Sequence, residues 1–475
     1  MPKGLRRKGA AQRSNFPSTS ASKNTSCRRN TKTGTGSVYT ESTETVYDLS
    51  VYKQLHRLTL EWPCLSFDWC RVPENFKDDG ELWLLLGSQA RFADANALYL
   101  LHLSGLALTA SDGSSSSSGS DSETESEIVV DSSDLERADD RSTRRRRPKI
   151  SAVRIPRGEC TNRVRCLPQA PHVAACWGES SGVSIFNLAD ALTALPPQAA
   201  DTVPFREALP TEPVFRLLDR SGQEGFALDW STLQVGMLAV GDIYGQLAII
   251  QSNESGWAIL QPNGDRMLRL HGASIEDLQW SPTEPSLIAS CSCDRSIKVL
   301  DLRAANRPAI ELTEAHPCDV NAIAWNRRYP KQIISGDDQG QIHVWDLRMS
   351  GSIEGSTPVA SLSYHKDPIY SLEWNRIEPS MFCATCGDGS VSIWDLSLEP
   401  LFEEDPARLD RKCDGLASSD SVDDIPAQLL FLHEGLKSAK EAHWIETSSQ
   451  MDCLAALGQV GLHILLPSNI YAENS

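Results

Sequence analysis

The stretch that decides the fold runs His316, Val320, Ala324-Trp325-Asn326, then Ser335-Gly336-Asp337-Asp338, then Val344-Trp345-Asp346-Leu347-Arg348. Short runs of alternating apolar and polar residues are separated here by turns rich in Asp and Gly. This pattern is typical of β-strands joined by tight hairpins. The same order of residues occurs in the preceding stretch, which begins at His271 and contains Trp280, and in the following one, which begins at His365 and contains Trp374.

The three copies repeat with a regular period. Trp280, Trp325 and Trp374 recur at about 45–50 residues, close to the roughly 40–45 residues of WD repeats, each of which supplies a four-stranded blade of a β-propeller. Weaker copies flank the three strong ones, and they cover residues 65–103, 164–188 (with Phe186 in place of the tryptophan), 226–250 and 442–466. The sequence therefore predicts an all-β, seven-bladed WD-repeat propeller over residues 63–470.

Two segments precede this propeller. Residues 1–45 combine Ser, Thr and Gly with nine basic residues, and their first acidic residue is Glu41, so we expect a disordered basic tail that would suit nuclear import or a nucleic-acid-binding arm. Residues 46–62 place Val46, Leu49, Leu55 and Leu58 at helix-like spacing and end before a proline. This spacing predicts an N-terminal helix at the edge of the propeller.

Two insertions interrupt the repeat. Residues 111–149 run from a serine tract through acidic residues to an arginine cluster, and residues 399–426 are acidic. Neither composition can bury enough apolar surface to fold, so both are predicted to be disordered loops. Ser122, Thr124 and Ser126 lie among acidic residues and would suit an acidophilic kinase.

Composition limits the class of protein. The chain has 475 residues and a formal net charge of −18, and such an acidic body repels nucleic acid and attracts basic proteins through its long-range field. No apolar run approaches a membrane span and no secretory signal is recognisable, so we expect an intracellular protein that does not contact membranes. The 13 cysteines are expected to be reduced thiols.

Three kinds of chemistry lack support in the sequence. His, Asp and Ser recur together in blade after blade, which predicts buried hydrogen-bond networks rather than one nucleophilic triad. The pairs Cys291/Cys293 and Cys383/Cys386 have no matching second pair at zinc-site spacing. No glycine-rich phosphate loop opens a helix. We therefore predict no catalytic residues, no metal and no cofactor.

Motifs outside the repeat resemble those of a known family. The segment from Leu55-His56-Arg57 to Leu60-Glu61-Trp62-Pro63-Cys64-Leu65-Ser66-Phe67-Asp68 resembles the entry segment of the glutamate-rich WD-repeat proteins of ribosome assembly. Further matching strings begin at Gly225, Glu276 and Pro426. The resemblance runs from about residue 46 to the C-terminus, although the family's tract between the first two blades is denser in Glu than the serine-rich tract here.

The resemblance implies a function. Members of that family are nucleolar chaperones of ribosomal protein L-three in large-subunit assembly, and some also bind histones. This chain would then be a non-catalytic, monomeric scaffold in the nucleus and nucleolus, with shuttling to the cytoplasm left open. It would bind a basic client and pre-ribosomal particles without reading a nucleic-acid sequence. The acidic side chains expected to contact the client are Asp121, Glu123, Glu125, Glu127, Asp131, Asp134, Glu403, Glu404, Asp405, Asp423 and Asp424.

Two alternatives remain open from the sequence. Histone-binding WD-repeat proteins share the N-terminal segment and an acidic loop before a P-x-x-L-L-F-x-H string, so the client would be a histone in chromatin assembly. A substrate receptor of a cullin-type ubiquitin ligase is the other alternative. In that case Arg303 and Arg348, which end two L/W-D-L-R strings, would contact the ligase adaptor.

Overall fold

The computed structural model describes residues 48–70, 81–106, 126–130, 149–195, 206–207, 211–217, 224–260, 267–304, 307–349, 357–398, 425–446, 452–459 and 461–470. Within these ranges the chain forms seven antiparallel-rich sheets arranged as blades. Strands are numbered along the chain and blades in the order of their innermost strands. Tyr52–Leu60 (β1) belongs to the last blade, although it comes first in the sequence.

Of the first three blades, blades 1 and 3 have five strands and blade 2 has four. Blade 1 consists of Cys64–Trp69 (β2), Leu82–Ser88 (β3), Ala97–Ser104 (β4), Lys149–Pro156 (β6) and Arg206–Glu207 (β10). Blade 2 consists of Thr161–Cys166 (β7), Val173–Gly178 (β8), Val183–Asn187 (β9) and Phe215–Leu217 (β11). Blade 3 consists of Ala227–Trp230 (β12), Met237–Gly241 (β13), Gln246–Asn253 (β14), Gly256–Leu260 (β15) and Leu268–Arg269 (β16).

The next three blades are regular four-stranded sheets. Blade 4 consists of Ile275–Trp280 (β17), Leu287–Ser292 (β18), Ile297–Asp301 (β19) and Ile310–Leu312 (β20). Blade 5 consists of Val320–Trp325 (β21), Gln332–Asp337 (β22), Gln341–Asp346 (β23) and Ala360–Ser363 (β24). Blade 6 consists of Ile369–Trp374 (β25), Met381–Cys386 (β26), Val391–Asp395 (β27) and Leu429–His433 (β28).

Blade 7 joins the two ends of the propeller. It consists of Ala439–Ile445 (β29), Cys453–Gly458 (β30), Gly461–Pro467 (β31), then β1, then Ser126–Val130 (β5). The remaining described elements are 3-10 turns at Leu49–Val51, Ala93–Ala95 and Leu302–Ala304 and one short α-helix, Ala189–Ala194 (α1). No helix within the described ranges has the length and apolar character needed to cross a membrane.

The blades form a closed ring. Their first strands contact one another in the order β2, β7, β12, β17, β21, β25, β29 and back to β2. Seven apolar clusters fill the ring, and each cluster combines side chains from two adjacent blades. The core is thus a set of sheet-to-sheet interfaces, which explains why middle strands such as β26 and β30 are buried on both faces. The predicted seven-bladed propeller is confirmed.

The N-terminal helix predicted over residues 46–62 is wrong for the described part of that segment. Residues 52–60 form β1, which pairs antiparallel with β31, Leu58 lying opposite Leu462. Gln54, His56 and Leu58 are buried in alternation, so the period is 2 rather than 3.6. Pairing between the first and last strands closes the ring. This pairing determines the conformation of β1, although the local spacing of its apolar residues favours a helix.

The loop predicted over residues 111–149 also needs correction. Residues 126–130 form β5, which pairs in parallel with β1, and Lys149 already begins β6. The tail over residues 1–45 and the acidic insertion from 399 to 424 lie outside the described residues.

A β-bulge recurs near the start of the first strand in six blades. The pairing register shifts between Cys64 and Ser66 in blade 1, and equivalent shifts occur at Thr161/Arg163, Ile275/Asp277, Val320/Ala322, Ile369/Ser371 and Ala439/Glu441. A bulge inserts one extra residue and re-aims the side chains that follow it. These bulges therefore set which side chains point along the channel at the centre of the ring.

The loops fall on two faces. We call "bottom face" the end that carries the loops from first to second and from third to fourth strand in each blade, and "top face" the end with the loops from second to third strand and between blades. In blade 4, residues 281–286 and 302–309 lie at the bottom, whereas residues 293–296 and 313–319 lie at the top.

Candidate functional site

The recurring His, Ser, Asp and Trp residues form buried hydrogen-bond networks near the top face. In blade 5 the His316 ring nitrogens lie 3.0 Å from Asp337 Oδ2 and 2.7 Å from Ser335 Oγ, which also accepts the Trp345 indole N–H at 2.8 Å. His271 makes equivalent contacts in blade 4. Each network satisfies polar groups that are inaccessible to water, so its role is to stabilise a blade.

Two members of these networks are identified only by the structure. In blade 5 Asp337 bonds His316, whereas the adjacent Asp338 accepts from the Asn321 side chain at the surface. In blade 6 the partner of His365 Nε2 is Ser392 of the third strand, not Thr385 of the second. In both cases the sequence offers two adjacent or similar candidates, and only the strand register distinguishes them.

One group of potential metal ligands occurs among the described residues. His365, Cys386 and Asp388 place one ligand atom each within 4.8 Å of one another. His365 Nε2 is already engaged with Ser392, and burial raises the pKa of the Cys386 thiol to about 12, so it stays protonated. A metal would require the thiolate. The donor set thus fits a blade network better than a metal site, and Cys383 is not part of the group.

A polar cavity of about 150 Å³ occupies the central channel and opens towards the bottom face. The first strands of all seven blades line it. Its acidic, basic and histidine lining residues are Asp68, Arg163, Arg165, Asp229, Asp277, Arg327, Glu373, Arg376 and His443. Four bottom-face loops also contribute, through Pro168, Thr232, Arg327 and Arg376.

An ion-pair network closes the inner end of this cavity. Glu441, which is 1% exposed, accepts from Arg163 Nη1 at 2.9 Å, Arg165 Nη2 at 2.6 Å and the Phe67 backbone N–H at 2.9 Å. Although burial alone would raise it, Arg165 and its neighbours hold the pKa of Glu441 well below its usual value. The network joins blade 7 to blades 1 and 2, which lie at the other end of the sequence.

Other channel carboxylates connect adjacent blades at three junctions. Asp68 Oδ2 accepts the Cys166 N–H at 2.7 Å, Asp229 Oδ2 accepts the Trp280 N–H at 2.8 Å, and Asp277 Oδ2 accepts the Ile323 N–H at 3.2 Å. Burial nevertheless raises the pKa of Asp229 to about 7. These carboxylate oxygens therefore accept hydrogen bonds from the propeller's own backbone.

His443 lies between two acids. Its Nδ1 is 2.6 Å from Glu373 Oε2, and its Nε2 is 3.6 Å from Glu441 Oε1. Burial alone would lower the pKa of His443, but the two carboxylates raise it to about 9. The imidazolium therefore persists at neutral pH as a cation that holds two carboxylates, a structural role.

Sequence reasoning missed the channel network, although a signal for it exists. The residue before the first-strand tryptophan is Asp68, Asp229, Gln279, Glu373 or His443 in five of the blades. A polar residue next to a buried tryptophan at period 2 must face away from the blade core, which at the ring centre means into the channel. The long sequence separation of the partners hid their pairing.

The structure describes only some of the residues predicted to contact partners. All the acidic client-contact candidates lie outside the described residues, except that the backbone of Glu127 forms part of β5. Arg303 and Arg348 are described, and their side chains are 71% and 74% exposed on the bottom face. Each guanidinium bonds the aspartate two residues earlier, Asp301 or Asp346. These two arginines have equivalent positions in blades 4 and 5.

Comparison with known proteins defines the class and then the family. The WD domain, G-beta repeat, matches residues 265–301, 309–346 and 356–395. The model for the histone-binding protein RBBP4, or its counterpart in the CAF1 complex, matches residues 42–107. The chain is therefore a WD-repeat propeller, and its entry segment is similar to that of the histone-binding WD-repeat proteins.

Relatives along most of the chain give the family. The ribosome assembly protein rrb1 of Schizosaccharomyces pombe is 32% identical over 84% of this chain and 77% of its own length. The protein HEAT STRESS TOLERANT DWD 1 of Arabidopsis thaliana is 33% identical over 89% of this chain and 88% of its own. The glutamate-rich WD repeat-containing protein 1 of Dictyostelium discoideum is 33% identical over 56% and 51%. The chain belongs to the glutamate-rich WD-repeat family, which includes a ribosome assembly protein.

Proposed function

We propose that this protein is a non-catalytic binding scaffold and chaperone in ribosome biogenesis, and that its client is a basic ribosomal protein. The observation that carries the proposal is family membership over most of the chain together with the net charge of −18. An acidic scaffold neutralises a basic client before it meets RNA, because complementary charge steers association and suppresses other partners.

Charge is distributed unequally over the described propeller. The top-face loops carry eight exposed acidic residues and four exposed basic residues. The acidic residues are Glu61, Asp94, Glu179, Glu314, Asp338, Asp367, Asp388 and Glu434, and the basic residues are Arg91, Arg295, Lys366 and Lys437. On the bottom face six exposed basic loop residues balance five acidic ones. The top face therefore suits a basic client better than the bottom face does.

The acidic insertions would extend this field. We propose that the 121–134 and 403–424 residues named above contact the client, since eight acids in the second insertion lie within residues 403–424. Phosphorylation of Ser122, Thr124 and Ser126 would add about −1.5 to −2 charges each and compensate for the lower Glu content of the first insertion. The protein would act as a monomer in the nucleus and nucleolus, on pre-ribosomal particles.

The absence of catalysis is part of the proposal. The titratable groups grouped closely in the described propeller are bound to one another, as Glu441 is to Arg163 and Arg165. His443 is held between two carboxylates. Neither arrangement presents a general base to a nucleophile, which catalysis would require. Binding, without a cofactor or metal, accounts for the structure better than chemistry does.

Histone binding is the second candidate function. The observation in its favour is the match of residues 42–107 to the model for histone-binding RBBP4 and its CAF1-complex counterpart, a segment that contains β1 to β4. A histone would use the same acidic field. The ligase-receptor alternative is supported only by the exposure and equivalent placement of Arg303 and Arg348.

Affinity purification of the tagged full chain from cells at moderate salt, followed by mass spectrometry, tests the proposal. One large-subunit ribosomal protein as the most abundant bound protein, with early pre-ribosomal factors after it, would support it. Core histones without a ribosomal client would favour the second candidate. A cullin adaptor that is lost in the Arg303→Ala, Arg348→Ala double variant would favour the third.

A further inference from the structure

The mouth of the central cavity presents two arginines from adjacent blades. The string Trp-Asn-Arg occurs at residues 325–327 and again at 374–376, and both Arg327 and Arg376 line the cavity. Their positions are fixed, because Asn326 Oδ1 accepts the N–H groups of Arg328 and Tyr329 at 2.9 and 3.0 Å. Asn375 holds its loop in the same way. The two guanidiniums are thus built into the mouth by repeated turns.

Donor capacity at this mouth is unused within the described propeller. Arg327 is exposed and makes no hydrogen bond or ion pair with another described residue, although the carboxylates of Glu373 and Asp229 attract it at longer range. Arg376 lies over the Trp69 ring at 4.7 Å and 3.9 Å from Glu373, and its Nε atom has no hydrogen-bond partner among the described groups. Carboxylates deeper in the channel are already engaged by N–H groups, as shown for Asp68. A ligand that accepts hydrogen bonds and carries negative charge complements this arrangement.

Exposed apolar side chains lie on three of the loops that line the mouth. Leu233 and Val235 follow the lining residue Thr232, Tyr329 follows Arg327, and Ile377 follows Arg376. These four side chains, which we call the apolar rim, are 45%, 68%, 56% and 39% exposed. Exposed apolar residues grouped on one face mark interaction sites more often than scattered ones do, and these four share the bottom face.

We propose that the bottom face docks a second protein through a segment in which an Asp or Glu side chain is flanked by apolar residues. The carboxylate would enter the mouth and accept from Arg327 and Arg376, and the flanking side chains would lie on the apolar rim. A cavity of about 150 Å³ is large enough for one side chain, since an engineered cavity of that size holds benzene. This acidic segment would bind the bottom face, whereas the basic client is proposed to bind the top face. The protein would therefore hold both partners at once.

Selection from a display library of random 16-residue peptides against the full-length protein tests the proposal. We expect enriched peptides to carry an Asp or Glu next to apolar residues. They should bind Arg327→Glu at least 10-fold more weakly, about 1.4 kcal/mol. Arg328→Glu is the matched control, because it makes the same charge change at the adjacent exposed residue outside the cavity lining, and it should bind like wild type.

Two further variants keep the test informative. Tyr329→Asp, on the apolar rim, should weaken the same peptides, whereas Tyr244→Asp, on the top face, should not. Binding of the basic client should be unchanged in Arg327→Glu, which separates this proposal from the proposed function. Enrichment of basic peptides, no enrichment, or equal binding to both arginine variants would overturn it. Two other results would also overturn it. One is that binding of a 20-nucleotide RNA depends on Arg327 whereas peptide binding does not, and the other is that peptides bind only after residues 399–424 are deleted.

Discussion

The buried ion-pair network at the channel centre allows the sharpest quantitative prediction. Glu441→Gln keeps the size of the side chain but removes the charge that faces Arg163 and Arg165, which are 13% and 16% exposed. Removing one partner of a buried ion pair costs about 3–5 kcal/mol, because the remaining charge loses its compensation. Asp277, 4.0 Å from Arg163, supplies part of that compensation, so we expect the lower value of about 3 kcal/mol.

Urea unfolding followed by tryptophan fluorescence measures this cost. With a slope of about 3 kcal/mol per molar urea, Glu441→Gln should lower the midpoint by about 1 M. Glu284→Gln is the control, since the Glu284–Lys331 pair is half exposed and such pairs contribute about 0–1 kcal/mol. A midpoint for Glu441→Gln within 0.2 M of wild type would refute the claim that this network stabilises the ring.

Four other predictions follow from the same structure. Ser335→Ala leaves the Trp345 indole and His316 without their partner and should cost about 1–3 kcal/mol in urea unfolding, whereas the exposed Ser363→Ala should cost under about 0.5 kcal/mol. Leu58→Ala, in the strand that closes the ring, should cost about 2–5 kcal/mol, and equal stability would contradict closure through β1. Burial lowers the pKa of His433 to about 4 and of His463 to about 3, below the usual value of about 6.5 in the unfolded chain. The unfolded chain then binds more protons, so stability should fall from pH 6.5 to pH 4, and a slope unchanged in His463→Gln would refute this origin. Arg303→Ala and Arg348→Ala should leave the urea midpoint unchanged within error, because both side chains are exposed and pair only locally.

The repeat made the propeller predictable because each blade carries its own signals. Trp280, Trp325 and Trp374 mark the ends of first strands, and the turn residues separate the strands that follow. Gly340, at φ +80 with its hydrogen facing the His365 carbonyl, is such a local signal. Local patterns failed where a distant strand decides the outcome, as in β1, whose conformation depends on pairing with β31 over 400 residues later.

The candidate sites were less predictable than the fold. Glu441 and its arginine partners are separated by 276 and 278 residues, and no short motif can encode that pairing. The mouth arginines were hidden for a different reason, since Arg327 and Arg376 look like ordinary solvated charges until the ring places their loops around one cavity. Composition indicated the acidic insertions, whose contacts depend on a client rather than on the chain.

Direct competition for the purified full-length protein tests the central claim most directly. Equimolar ribosomal protein L-three, histones H3–H4 and lysozyme, as a basic control, would be offered at about 0.15 M salt, and the bound fraction would be quantified. The account predicts that ribosomal protein L-three is retained in excess over both competitors. Retention should weaken when the acidic residues of 403–424 are replaced by Gln and Asn. Equal retention of all three basic proteins, or retention of histones alone, would contradict it.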